Sequence, residues 1–464
     1  MTIKEGDVPV RRADVLIQNA HVVTFDDDRR VVADGAIAIT DGVIAEVGPT
    51  AELAERWDPA RRVLASGQIA IPGLTDAHFH TAQTLMRGLI STLQQTRALR
   101  VPTWREYYLP FEAALTPEDV QLSGELAYTT MLAGGTTNFL ESGGPHPELM
   151  ASAAEQVGIR GTVTVSTMDT GSRIPESMIT TTEQALARNV AVVDALPTAA
   201  DGSNRVTGGM SLRQVITCST ELVTAIHAEA QRRGVKVHTH LVEGTYEIDY
   251  CLERYGLRPV DYLRDIGVFT PTLHGAHSVL AGDADISAYA EHQVSACHCA
   301  KGNYAIGAAP AIRMWRRGVP IGLGTDGVAT LGTLDIFRVA MLARVGQQLV
   351  EATGSHNRNG IAPEEPLSMA IRGGARASGF ADHLGALTAG RRADVVLVGT
   401  SSADAAGYAS PEAFLYECAS GRDVESVFVD GQQVVADGEV TTVDVERVRY
   451  QAARRQRELM DAIG

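Results

Sequence analysis

Residues 71–80 read Ile71-Pro72-Gly73-Leu74-Thr75-Asp76-Ala77-His78-Phe79-His80. A short apolar run ends on two histidines separated by one residue. In an extended chain, residues two apart face the same way, so His78 and His80 point together. Two imidazoles on one face form a ready bidentate site for a transition metal. Val237-His238-Thr239-His240 repeats the geometry 160 residues on.

Working outward, the region 68–380 alternates short apolar runs with helix-length segments. Candidate strands are Ile69–Asp76, Thr136–Leu140, Gly161–Ser166, Gly209–Arg213, Val235–His238, Thr272–His274, Val294–Cys297 and Pro320–Gly324. Segments such as Thr116–Ala133, Thr220–Arg233 and Asp283–His292 fill the gaps between them. Eight strand slots with helices between them predict an α/β fold, a (β/α)8 TIM barrel. A doubly wound open sheet is the rival, but no glycine-rich dinucleotide fingerprint follows the first strand. Leu273-His274-Gly275-Ala276-His277 marks the sixth slot, Cys297-His298-Cys299 the seventh and Gly324-Thr325-Asp326-Gly327 the eighth. Seven of the thirteen histidines thus lie at strand ends, where a barrel builds its active site. Each alone would read as a satisfied core histidine; together they read as a metal site. His21, His146, His227, His292, His356 and His383 are read as surface residues.

The two ends look like one β unit. Alternating stretches at 13–48 and 393–435 surround the hairpin signals Asp41-Gly42 and Asp430-Gly431. Residues 1–67 and 381–464 are therefore expected to form a composite β-sandwich domain with a C-terminal helix over 443–464, and 68–380 the barrel.

The chain has 464 residues, 45% hydrophobic and 21% charged, which excludes disordered and fibrous classes. Lys+Arg total 40 against Asp+Glu 56, a net charge of −16, so nucleic acid and anionic membrane surfaces are not expected partners. No apolar run approaches the roughly 20 residues of a membrane span. The polar stretch 1–12 carries no apolar signal core, so a cytoplasmic protein is expected. Cys218, Cys251, Cys297, Cys299 and Cys418 are an odd, scattered set, read as reduced thiols.

Pro72-Gly73-Leu74 leading to His78-Phe79-His80, His238-Thr239-His240 followed by Glu243, then His274 and Gly324-Thr325-Asp326, resembles the amidohydrolase superfamily, on its cytosine-deaminase and chlorohydrolase-like branch. Arg372-Gly373-Gly374-Ala375-Arg376-Ala377-Ser378-Gly379 and Leu387-Thr388-Ala389-Gly390-Arg391-Arg392-Ala393-Asp394 agree with it. The resemblance implies metal-dependent hydrolysis. By position, the metal ligands would be His78, His80, His240 and Asp326, with His238 left to support or pack. The fourth strand offers no lysine or acid to bridge two metals, so one divalent ion per subunit is expected. Zinc is the default, and Co2+, Fe2+ or Mn2+ tolerate the same donors. Asp326 would accept a proton from water, His274 would hydrogen-bond the attacking oxygen, and Glu243 would shuttle a proton to the leaving group. The bland alternative for Glu243 is an acid complementing a helix dipole.

The substrate is expected to be a small molecule. His298-Cys299-Ala300-Lys301-Gly302-Asn303 keeps the His, Cys and Asn of the branch pattern but not its Pro and Ser, and Thr330-Leu331-Gly332 replaces Ser-Asn-Asn. These departures favour a neutral N-substituted urea, carbamate or thiocarbamate, as in the phenylurea and molinate hydrolases. The alternative is an aminohydrolase releasing ammonia from a triazine, pterin or purine; the remote one is a non-catalytic assembly barrel. Trp104 and Tyr107, with Tyr108, are candidates for the substrate wall, as are His298, Asn303 and Tyr304. Residues 170–182 are a candidate lid. A homodimer or homotetramer is implied by the resemblance alone.

Overall fold

The computed structural model describes residues 10–197, 202–329, 331–353, 355–357 and 359–463. Thr330 lies outside the described residues. The terminal segments supply β1 (Arg11–Val23), β2 (Val31–Thr40), β3 (Val43–Pro49), β4 (Trp57–Leu64) and β5 (Gln68–Pro72) from one end. They supply β15 (Val395–Gly399), β16 (Val424–Val429), β17 (Gln432–Ala436) and β18 (Glu439–Val440) from the other. Antiparallel pairing of β5 with β15 joins the two ends into one nine-stranded sheet, so the expected sandwich is a single hydrogen-bonded sheet. Alternation sets its faces: Val15 and Ile17 pack with Ile37, Val395 and Leu397, whereas Leu16 packs with Ala36, Leu53 and Trp57. Ile69, Ile71, Val396 and Val398 turn the other way and join the main core of the barrel.

The barrel strands are β6 (Leu74–Phe79), β7 (Thr136–Glu141), β8 (Arg160–Val163), β9 (Val206–Gly208), β10 (Met210–Gln214), β11 (Val237–Leu241), β12 (Leu273–His277), β13 (Ser295–His298) and β14 (Ile321–Leu323). All their pairings are parallel, in the orders β6-β7-β8-β9 and β10-β11-β12-β13-β14. Gly209 separates β9 from β10, and the two together fill the fourth slot. The expected strand over 69–76 is divided at Gly73: its first half lies in the terminal sheet and its second half in the barrel. A Cβ at Gly73 would sit 1.9 Å from Thr137 Oγ1, so the chain can change sheets there only without a side chain. The ring closes where β14 returns to β6. Asp326 N–H donates to His78 O at 2.9 Å, and Thr325 N–H donates to Asp76 Oδ1 at 3.0 Å. Gly324 permits this approach, since a Cβ there would lie 2.9 Å from the backbone of His78.

A fully buried guanidinium ties the barrel to the terminal sheet. Arg160, at the start of β8, meets Asp394 at 3.1 Å and Asp430 at 2.5 Å, and donates to Gly202 O at 2.8 Å. Removing one partner strands the others in the interior. Arg160→Met is expected to lower stability by about 3–5 kcal/mol, measured by urea unfolding. A change below about 1 kcal/mol would show that the staple is dispensable. Helix Val445–Ile463 packs on helix Pro117–Ala133 through Arg455–Asp119 (2.6 Å) and Arg447–Glu125 (2.7 Å). The five cysteines are unpaired. Among the described residues no helix is long and apolar enough to cross a membrane.

Candidate active site

The C-terminal ends of β6, β11, β12 and β14 bring together the residues the sequence singled out. His78, His80 and His240 place one ring nitrogen each within 4.8 Å of one another. Asp326 Oδ1 lies 3.4 Å from His78 Nε2 and 3.5 Å from His80 Nε2. Asp326 takes a left-handed φ of +54°, which turns its carboxylate back over the barrel mouth.

The hydrogen bonds behind these rings fix their tautomers. His240 Nδ1–H donates to Arg213 O at 2.7 Å. Ser142 Oγ–H donates to Phe79 O at 3.0 Å, so its oxygen accepts from His80 Nδ1–H at 2.8 Å. The Nε2 atoms of His80 and His240 therefore carry lone pairs, yet they face each other at 3.2 Å. His78 Nε2 is buried without a hydrogen-bond partner. Burial holds all three imidazoles below the ordinary histidine range, hence neutral. Unpaired nitrogen lone pairs converging beside a carboxylate are unfavourable alone and satisfied by a cation. The residues present thus fit a divalent ion, and this donor set suits zinc. His238 supports the cage: its Nε2 meets His78 Nδ1 at 2.8 Å.

Glu243 follows β11. Gln214 Nε2–H and Tyr246 O–H both donate to its Oε2 at 2.7 Å, so Oε1 is the oxygen left for other work. Its N–H donates to Glu247 Oε2 at 2.9 Å. Burial pushes the Glu247 carboxyl up to about 8.

One expectation is corrected. His274 cannot reach the attacking oxygen: it lies in the barrel interior with Nε2 on Ala77 O (2.9 Å) and Nδ1 on Ser295 Oγ (3.1 Å). His277, at the end of β12, stands at the mouth instead. Its ring lies 4.8 Å from that of His78 and 5.2 Å from that of His240. Alternation would put residues 274 and 277 on opposite faces, but a φ of +80° at His277 turns the ring in. Asn303 Oδ1 accepts from Cys299 N–H at 3.1 Å, which aims its Nδ2–H at His277 Nδ1, 3.0 Å away. The His277 proton therefore sits on Nε2, which is buried without a protein partner. The signal for His277 was its place at the end of its strand slot rather than the start.

The other wall residues divide. Trp104 lies 6.3 Å from the Tyr246 ring, beside Glu243, and its Nε1 is buried without a partner. Tyr107 packs into the main core, and its hydroxyl accepts from Arg100 N–H at 3.2 Å, so it anchors the loop. Asn303 spends both ends of its amide on His277 and Cys299 rather than on open space. His298 Nε2 meets Tyr304 OH at 3.2 Å, and Gln347 donates to that hydroxyl at 3.2 Å, which holds Tyr304 against helix Ile336–Thr353. Met178 and Ile174 of the 170–182 segment pack with Trp104, Leu109 and Met168, joining the two loops. Cys297 and Cys299 lie in a small core with Ala77, Ala276 and Ala377, although Cys299 Sγ also comes within 4.8 Å of nitrogens of His78 and His277. Ser142, Gln214, Tyr246 and Arg213 were not foreseen; each acts on a foreseen residue from a distant segment, and local spacing carries no sign of that.

The amidohydrolase family model matches residues 69–434, and an imidazolonepropionase-like composite domain of bacteria matches residues 35–59. A 5'-deoxyadenosine deaminase of Methanosarcina acetivorans is 32% identical over 450 residues, covering 97% of this chain and 99% of that protein. A 5-methylthioadenosine/S-adenosylhomocysteine deaminase of Pelotomaculum thermopropionicum is 30% identical over 451 residues, covering 97% and 99%. Among solved structures, an adenosine deaminase from Xanthomonas campestris with bound zinc superposes with a TM-score of 0.89 at 28% identity, covering 98% of this chain and 100% of that one. These relatives stand on the aminohydrolase side and give no support to the urea and thiocarbamate reading. The chain belongs to the amidohydrolase family, as a metal-dependent hydrolase acting on carbon–nitrogen bonds.

Proposed function

We propose that this protein is a deaminase that replaces the exocyclic amine of an adenine-type purine nucleoside by oxygen and releases ammonia. The 5'-deoxy, 5'-methylthio and S-homocysteinyl adenosines are the first substrates to consider, because they are what the similar deaminases are named for. The observation that carries the reading is Glu243, clamped on one oxygen by Gln214 and Tyr246 with the other free, beside three converging imidazoles.

In this reading His78, His80, His240 and Asp326 hold one divalent ion. That ion, when bound, supplies the Lewis acidity that makes water a nucleophile near neutral pH. Asp326 accepts the proton that water gives up. His277 Nε2–H donates to the water oxygen while Asp326 draws off its proton and negative charge builds there, and Asn303 keeps that tautomer. Glu243 Oε1 carries a proton to the departing nitrogen, which leaves as ammonia. Water adds its oxygen to the ring carbon and the exocyclic C–N bond breaks; of water's two protons one ends on the adjacent ring nitrogen and one on the amine, which leaves as ammonia.

The test is an ammonia assay with mass spectrometry on zinc-loaded protein, using adenosine and its 5'-deoxy, 5'-methylthio and S-homocysteinyl forms beside substituted ureas and thiocarbamates. Ammonia with a 6-oxopurine product supports the reading. Cleavage of a urea or thiocarbamate with every purine untouched would overturn it.

A further inference from the structure

Val242, between β11 and Glu243, takes a left-handed φ of +54°. Its side chain is fully buried. A Cβ crowds the backbone in that region, and a β-branched side chain crowds it most, so an ordinary turn would place glycine or asparagine there. Two amides from beyond β12 seat the carbonyls of this turn: Ser278 N–H donates to Leu241 O at 3.0 Å, and Leu280 N–H to Val242 O at 3.1 Å. The amide that follows is held by Glu247, whose Oε2 accepts from Glu243 N–H at 2.9 Å. The Val242 N–H acts on the same carboxyl.

Glu247 is the third residue of helix Thr245–Tyr255, whose cap is Gly244. An acid at that position usually reaches back to the N–H of the cap residue. Here it passes the cap and takes the N–H one residue earlier, on Glu243. The side chain is fully buried, and its Oε1 has no hydrogen-bond partner. Burying a carboxyl in this way is unfavourable, and a small polar residue at position 244 would cap the helix without it. Gly244 serves another end. A Cβ there would sit 2.5 Å from Tyr246 Cε1, so glycine lets that ring fold back and bring its hydroxyl to Glu243 Oε2 at 2.7 Å. Two successive helix residues thus hold Glu243, Tyr246 by the side chain and Glu247 by the backbone.

We propose that Glu247 is a positioning residue for the reaction: its carboxyl clasps the Glu243 amide and so holds the left-handed turn at Val242 that aims Glu243 at the leaving amine. Glu247 touches neither the substrate nor the ion. Without the clasp, Val242 falls back to a backbone conformation that suits a β-branched residue, and Glu243 swings away from Gln214 and Tyr246. The proposal rests on Glu243 as the proton carrier of the deaminase reading and adds what sets its aim.

The test compares kcat, KM and zinc content of wild-type protein, E247L, E247Q and V242G/E247L on the best purine substrate, with crystal structures of wild-type protein and E247L. E247L fills the same space without an acceptor. Its kcat is expected to fall about 10–100-fold, with KM within about 2-fold and zinc retained. Its crystal structure should show residue 242 outside the left-handed region. E247Q offers an amide oxygen to the same N–H and should keep kcat within about 3-fold of wild type. Glycine takes a positive φ with no Cβ to crowd the backbone, so V242G/E247L should regain at least about 5-fold of the lost kcat, although it is the less stable protein. A merely structural role predicts the opposite, since a second truncation in the core only adds to the damage. If E247L does not fold, E247D, which keeps the acid but falls one methylene short, carries the same expectation. Wild-type kcat in folded E247L or E247D, or no recovery in V242G/E247L, would overturn the proposal. Unchanged kcat in E243Q, or wild-type protein inactive on every purine, would instead overturn the reading on which it rests.

Discussion

His80→Ala protein is expected to lose zinc on dialysis and to lose turnover with it, by at least about 10^4-fold on the best substrate. His80 presents a neutral Nε2 beside that of His240, 3.2 Å away, with its ring locked by Ser142. Alanine leaves two imidazoles and Asp326 around a wider opening, and a three-donor site of this size holds zinc weakly. Activity falls with occupancy because water without the ion is far too weak an acid at neutral pH. Zinc per subunit, by atomic absorption after dialysis, and initial rates on the same samples check this. Full activity with full zinc content would remove His80 from the cage. Chelator-stripped wild-type protein should mimic the variant and recover on adding zinc.

Glu243→Gln should separate what His80→Ala joins: zinc stays and turnover falls by about 10^2–10^4-fold. The amide oxygen can still accept from Gln214 and Tyr246, which hold the carboxylate at 2.7 Å, so the side chain keeps its place. What it loses is the ability to take up and release a proton. A helix-end acid would give a different result, a small change in stability with kcat untouched. Zinc content, thermal midpoint and kcat measured together decide between them. Unchanged kcat would return Glu243 to a structural role and remove the observation on which the deaminase reading depends.

The barrel was legible because its evidence is local. Eight apolar runs with helix-length spacers are a pattern of period and length, and histidines two apart share a face in any strand. Even the joining of the two termini was visible, in matching alternation and Asp-Gly turns. The urea and thiocarbamate reading, which finds no support among the relatives, rests on taking differences such as Ala300 and Lys301 for a loss of polar grip. Lys301 Nζ instead donates to Gly327 O at 2.9 Å, bracing the turn that carries Asp326.

His78, His80, His240 and Glu243 could be named from the chain alone, because one strand end and the residues just after it fix where such side chains go. His277 could not, since a left-handed φ at the end of β12 overrides the alternation that pointed elsewhere. Nor could Asn303 and Ser142 as the partners that set the tautomers, or the Arg213 carbonyl as the group that fixes His240. Those roles depend on which segments meet. Only packing brings residue 142 to residue 80, residue 303 to residue 277 and residue 213 to residue 240.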